Sequence, residues 1–269
     1  MYNDWKSLNL LINQIKEKNK SLKNLEILII DDASTIKPFL KKKSIFKKIK
    51  ILSLNKNVGS QKAISIGLDY LKKNENNFIV VIMDGDGEDN PAHLNTMLNL
   101  AINNKNYVVT SHRKKRNENT FIKIGYKVHL FISYFFTWHW ISFGNFSAFH
   151  SKNLNKINLK KTWLAYPSSI LQDCKIIKVF ATRQKRYFGK SKVSLLKLIE
   201  HSLRIISVFY KRVLITSAII LLFCLILNNN FILIYATIFL FNIIIFFVFH
   251  KNKTNNINYR KYLKSIKSF

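Results

Sequence analysis

At 269 residues and 48% hydrophobic content, the chain can hold one good-sized domain with apolar material left over for lipid contact. Its formal charge of +30 does not make it a nucleic-acid binder. Lys, Asn and Ile are enriched together, the mark of a biased genome composition, and the lysines are scattered instead of forming one stripe. An anionic membrane surface is the better partner for such charge. Cys174 and Cys224 have no metal or redox spacing, and Cys224 sits in an apolar run, so a reducing, cytosolic setting fits. The start, Met1-Tyr2-Asn3-Asp4-Trp5, is polar and is no signal peptide.

Leu8, Leu11, Ile12 and Ile15 recur at helical spacing, predicting a helix over 7–20. Residues 26–30 are a buried strand, followed directly by Asp31, Asp32, Ala33 and Ser34. A second strand spans 49–54, leading through Asn57, Gly59 and Gln61 into a helix over 62–73. Next comes an apolar run, Phe78-Ile79-Val80-Val81-Ile82-Met83, which reads as a strand buried on both faces. It ends in four acids within six positions, Asp84, Asp86, Glu88 and Asp89, and then Pro91. Acids at a strand's carboxyl end lie where open α/β sheets bind ligands. Two readings apply: a site for a hard divalent cation that offsets their repulsion, or an acidic turn capping the next helix. A helix over 92–103 and a strand over 107–111 follow. This strand–helix rhythm predicts βαβ units and a mostly parallel sheet.

Beyond 116 the texture changes. Residues 121–143 are rich in aromatics but interrupted by Lys123, Lys127, His129 and His139, which fits a helix lying in a membrane interface. Strands are expected over 144–150 and 176–182, then a basic loop over 183–192 and an amphipathic helix over 193–211. Residues 213–227 and 231–249 are two apolar spans joined by Asn228, Asn229 and Asn230. Lys211 and Arg212 precede them and a Lys-rich tail follows, so both flanks are expected on the cytoplasmic side. The expected organisation is a domain over 1–192, a juxtamembrane helix over 193–212, a transmembrane hairpin over 213–250 and a basic cytoplasmic tail over 251–269.

Five motifs in one order resemble membrane-anchored family 2 glycosyltransferases of the polyprenyl-phosphate sugar synthase type, to which dolichol-phosphate mannose synthase and bactoprenol glucosyl transferase belong. They are Tyr2-Asn3-Asp4, Asp31-Asp32-Ala33-Ser34, Asn57-Val58-Gly59-Ser60-Gln61, Asp84-Gly85-Asp86-Gly87-Glu88-Asp89, and the run from Arg183 through Arg186 and Gly189 to Ser191 and Lys192. The resemblance implies an α/β, GT-A (Rossmann-like) catalytic domain at the bacterial inner membrane. It implies a DXD metal motif in Asp84 and Asp86, with Glu88 as a further ligand of Mg²⁺ or Mn²⁺. Tyr2, Asp4, Asp31, Asp32, Asn57, Gly59 and Gln61 would bind the UDP- or GDP-sugar donor. Arg113, Arg116, Arg183, Arg186, Ser191 and Lys192 would meet the phosphate of a polyprenyl (undecaprenyl-type) acceptor.

The implied reaction is inverting transfer of the sugar to that phosphate. A phosphate monoester is already anionic at neutral pH, its second pKa being about 6, so no general base is required. The sequence accordingly has no Ser/His/Asp or Cys/His arrangement. Transfer to another membrane glycan and a non-catalytic sugar-nucleotide-binding module are the alternatives, and a homo-oligomer is left open. Members of the family carry a strand before the Tyr-Asn-acid motif. Here Met1 stands in that place, so an upstream start and a gap in the sheet are expected. Gly87, Asn90, Ala92, Asn145 and Lys190 also depart from the family's pattern.

Overall fold

The computed structural model describes residues 1–19, 24–40, 46–113, 120–189, 195–227 and 232–269. The first half alternates as expected: α1 (Trp5–Lys18), β1 (Glu26–Asp31), β2 (Lys48–Leu54), α2 (Ser60–Asn74), β3 (Ile79–Ile82), α3 (Leu94–Asn103) and β4 (Tyr107–Arg113). The second half holds α4 (Thr120–Thr137), β5 (Phe143–His150), α5 (Leu159–Leu164), α6 (Tyr166–Asp173), β6 (Lys175–Ala181), α7 (Leu195–Ser207), α8 (Tyr210–Ile226), α9 (Ile232–Asn252), α10 (Tyr259–Tyr262) and β7 (Leu263–Ser268).

The strands form two sheets, ordered β1-β2-β7 and β3-β5-β4-β6. Among the described residues, β1–β2 and β4–β6 pair in parallel, whereas β2–β7, β3–β5 and β4–β5 are antiparallel. The mostly parallel sheet expected from the strand–helix rhythm is therefore a mixed one. The cause is β5, which enters between β3 and β4 in the opposite direction and so separates two strands that a simple crossover would have made neighbours.

Burial on both faces explains the continuous apolar strands. In β2, Ile49 and Ile51 pack on Trp5, Leu8 and Ile12 of α1, while Leu52 and Leu54 pack on Ala63, Ile66 and Tyr70 of α2. In the second sheet, Val109 and Ala148 face Met97 and Ala101 of α3, while Val108 and Phe149 face Tyr166 and Ile170 of α6. Fully burying one such aliphatic side chain is worth about 1.5–3 kcal/mol, so each strand face is a substantial anchor.

Met1 lies against the ends of both sheets. Its amine donates to the Ile30 carbonyl at 2.7 Å and its carbonyl accepts from the Asp32 N–H at 2.8 Å, a parallel ladder step beside β1. Its Cβ would be 3.4 Å from a Cβ placed on Gly85, in the turn after β3. Apart from this step, β1 pairs only with β2 and β3 only with β5 among the described residues.

The chain's end differs most from expectation. Residues 251–269 are not a free tail: β7 adds to the exposed side of β2, and Ile257 and Tyr259 are buried beside Tyr70 and Trp163. The Tyr259 N–H donates to Asp69 at 2.9 Å, and its ring meets Tyr70 edge-on at 5.2 Å. The apolar contacts come from Ile257, Tyr259, Tyr262 and Leu263, clustered just before and at the start of β7, which a charge count hides.

Of the two expected spans, α9 is long and apolar enough to cross a membrane, with 21 residues that are mostly exposed. Helix α8 has 17 residues, or about 25 Å at 1.5 Å per residue, below the ~30 Å of a hydrocarbon core. Helix α7 meets α8 at 85°. The Asn242 amide donates to Ser217 at 2.9 Å, tying α9 to α8. The polar hairpin at 228–230 lies outside the described residues.

Candidate active site

The site grows from the end of β3, where buried aliphatic residues give way to the acidic turn. The Asp84 backbone N–H donates to Asp89 Oδ2 at 2.9 Å, so Asp89 closes the turn on itself. Asn90 accepts from the Ala92 N–H at 3.0 Å and caps the short helical turn that opens at Pro91. Asp89 thus braces the turn, while Asn90, a departure from the family's pattern, is the cap.

The Asp84 carboxylate is half-buried and accepts from the Asn145 amide at 3.1 Å. Asn145 is in turn oriented by Gln61, which donates to its Oδ1 at 3.1 Å and accepts from the Tyr166 N–H at 2.6 Å. This relay of amides runs from α6 through α2 and β5 to the acidic turn. Burial holds the Asp84 pKa above the usual carboxylate range, and the Asp86 charge adds to the rise; Asn145 and Arg183 oppose it. Asp86 is also raised by burial, against Arg186 and Arg183.

The basic loop lies directly over these acids. Arg183 pairs with Glu88, and Arg186 reaches Asp4 at 2.5 Å and Asp86 at 3.5 Å. The backbone follows, with Gln184 N–H donating to Glu88 O at 2.9 Å and Tyr187 N–H to Asp86 O at 3.1 Å. Gly87 makes this approach possible. Its φ is +86°, and a Cβ there would sit 2.0 Å from the Tyr187 ring. The Tyr187 hydroxyl then donates to Gln14 of α1 at 2.7 Å.

Other expected site residues divide by role. Asn3 joins the first two loops, accepting from the Thr35 N–H at 2.9 Å and donating from its backbone N–H to Ser34 Oγ at 2.8 Å. Tyr2 is 40% exposed beside them. Asp31 accepts from the Ser34 N–H at 3.1 Å. Asp32 accepts from the N–H groups of Val58 and Gly59, at 2.7 and 2.9 Å, and so secures the 57–59 loop. Asn57 is exposed on that loop, and Gly59 has a φ of +87°. The Arg113 side chain, Arg116, Ser191 and Lys192 lie outside the described residues.

Glu88, the third expected ligand, is turned to Arg183 here, and among the described residues no group of three His, Cys, Asp or Glu side chains is already gathered as a metal cluster. Two mutually repelling, partly desolvated carboxylates, Asp84 and Asp86, remain as a donor pair that a divalent cation fits.

An acidic turn at a strand's carboxyl end, over a sheet covered on both faces, defines an α/β ligand-binding domain. Residues 1–174 match the family described as Glycosyl transferase family 2, and the chain belongs to that family. The fold fits a GT-A domain, and the family implies a nucleotide-sugar donor and an acceptor. No curated protein matches the chain.

Proposed function

We propose that the chain moves a sugar from a nucleotide-sugar donor to polyprenyl phosphate at the cytoplasmic face of a membrane. The observation that carries this reading is the contact of the acidic turn with a loop that supplies Arg183 and Arg186. Donor diphosphate and acceptor phosphate are both anions, and a site joining them needs forked cations beside its metal-binding acids.

Mg²⁺ or Mn²⁺ on Asp84 and Asp86 would neutralise charge on the departing nucleoside diphosphate. Asn145 and Gln61 keep the Asp84 carboxylate in one orientation. Arg183 and Arg186, now neutralising Glu88, Asp4 and Asp86, exchange these partners for substrate phosphate oxygens. The acceptor oxygen attacks the anomeric carbon with inversion as the nucleoside diphosphate leaves. Catalysis is then mostly positioning and electrostatics.

The membrane assignment draws on the apolar outer surface and the path of the chain. Phe131, Tyr134, Trp138 and Trp140 are exposed on and after α4, as are Leu196 and Leu198 on α7. After α9 the chain returns to pair β7 with β2, so both ends of the α8–α9 pair lie on the side of the catalytic domain. That favours a hairpin that enters and leaves by one face, with α7 along the interface. Incubating membranes that contain the protein with labelled nucleotide sugars, undecaprenyl phosphate and Mn²⁺ tests the proposal. A labelled, mild-acid-labile lipid is the expected product, and label confined to polymer sinks it.

A further inference from the structure

A second charged cluster lies at the seam of α2, α5 and α7. Lys62 follows Gln61 in the first turn of α2 but takes no part in the amide relay: its ammonium stands over the Trp163 ring, 5.3 Å from the centroid. Arg204 of α7 reaches the same residue, donating from Nη2 to the Trp163 carbonyl at 2.9 Å. Arg204 Nε is buried and has no hydrogen-bond partner among the described residues. A guanidinium N–H removed from water without an acceptor is an unmet demand for an anion.

The surrounding charges do not cancel that demand. Burial lowers the Lys62 pKa, Arg204 and Lys56 lower it further, and Glu200 is the acid whose field opposes them. Glu200 also acts on Arg204, so one carboxylate serves two partly buried cations. His201, one turn before Arg204, is held near a pKa of about 4 by burial and adds no positive charge. Meanwhile α7 turns Leu196, Leu198 and Ile199 outward, each about half exposed or more, as an interfacial helix does. The cations therefore sit beneath a helix with a lipid-facing side.

We propose that Lys62 and Arg204 form a binding site for a lipid-borne phosphate at this seam, separate from the loop that carries Arg183 and Arg186. The lysine supplies a point charge beside an aromatic wall. The arginine supplies the directional donor: its Nε–H, covered in this structure, meets the phosphate once the guanidinium turns outward. The proposal rests on the membrane-surface reading above but not on sugar transfer. Two lipids carry the chemistry: a phosphomonoester such as the proposed acceptor, and the phosphodiester headgroup of an ordinary anionic phospholipid.

Native mass spectrometry of the full chain distinguishes them, with farnesyl phosphate, phosphatidylglycerol or phosphatidylcholine added separately. Lys62→Gln and Arg204→Gln should each weaken retention of the anionic lipid by about tenfold, the scale of one charge-assisted hydrogen bond, and leave phosphatidylcholine unchanged. Farnesyl phosphate alone responding assigns the site to the acceptor; both responding assigns it to headgroups. Arg204 ties α7 to the Trp163 carbonyl whereas the Lys62 ammonium meets the Trp163 ring, so Lys62→Gln stays informative if Arg204→Gln misfolds. Wild-type retention of both anionic lipids by Lys62→Gln overturns the proposal. Absence of sugar transfer with any donor would strike the proposed function and leave this site standing.

Discussion

The acidic turn after β3 and the cationic seam beside Trp163 both hold charge away from water, but they balance it in opposite ways. Around the turn, Glu88, Asp86 and Asp4 meet Arg183 and Arg186 from the overlying loop. Around the seam, two cations share the field of Glu200, and a buried Nε–H has no partner among the described residues. An internally paired site must exchange partners to act, because its own side chains compete with a ligand. An unbalanced site awaits an external counter-ion. Paired charges are weak evidence for stability in themselves, whereas an uncompensated buried charge is costly enough to call for an explanation.

Three substitutions test this contrast. Asp86→Ala removes one of the two carboxylates proposed for the metal and an Arg186 partner. Turnover should fall by at least about 10²–10³-fold, the scale of a lost transition-state electrostatic contact, while membrane insertion persists. Retained turnover in a lipid-product assay would remove the metal assignment.

Gly87→Ala keeps every charge but blocks the loop's approach. The added Cβ meets the Tyr187 ring, and the φ of +86° becomes strained. A loss of about 1–3 kcal/mol in unfolding free energy is expected, together with reduced turnover. An unchanged melting curve would mean that the loop does not rest on the turn.

The smallest effect is a pH slope. Because the Asp84 pKa is raised in the folded chain, the native state holds its proton more tightly than the unfolded state does. The ligand-free protein should therefore lose stability as pH rises from about 4, the ordinary aspartate pKa, through the raised value. Asp84→Asn should flatten this part of the curve and abolish turnover. Thermal melts across that window, without divalent cation, provide the check. A slope identical to wild type would show that Asp84 is not the group responsible.

Much of the site was legible because it is local. The run from Phe78 to Met83 ends in acids within one stretch of chain, and the pairs Asp31–Asp32 and Arg183–Arg186 each sit on a single loop. Roles set by distant partners were not legible. Asn145 stood out only as a departure from the family's pattern, yet it contacts Asp84 across 61 positions of sequence. Asp32 fastens the 57–59 loop, a role that nothing in its local sequence foretells. Tyr187 over Gly87 could have been anticipated only from the glycine itself, an unneeded residue unless something presses on it.

By itself, the sequence determined the α/β alternation, the acidic turn, the basic loop and the apolar C-terminal helices. Each depends on the period or chemistry of neighbouring residues, which a single segment carries. Tertiary structure decided that β5 runs antiparallel between β3 and β4, and that residues 251–269 return as α10 and β7. It also decided that Glu88 faces Arg183 and that Lys62 and Arg204 meet at Trp163. Strand neighbours and charge partners are chosen by which surfaces remain uncovered once the helices have packed. No local period encodes that choice.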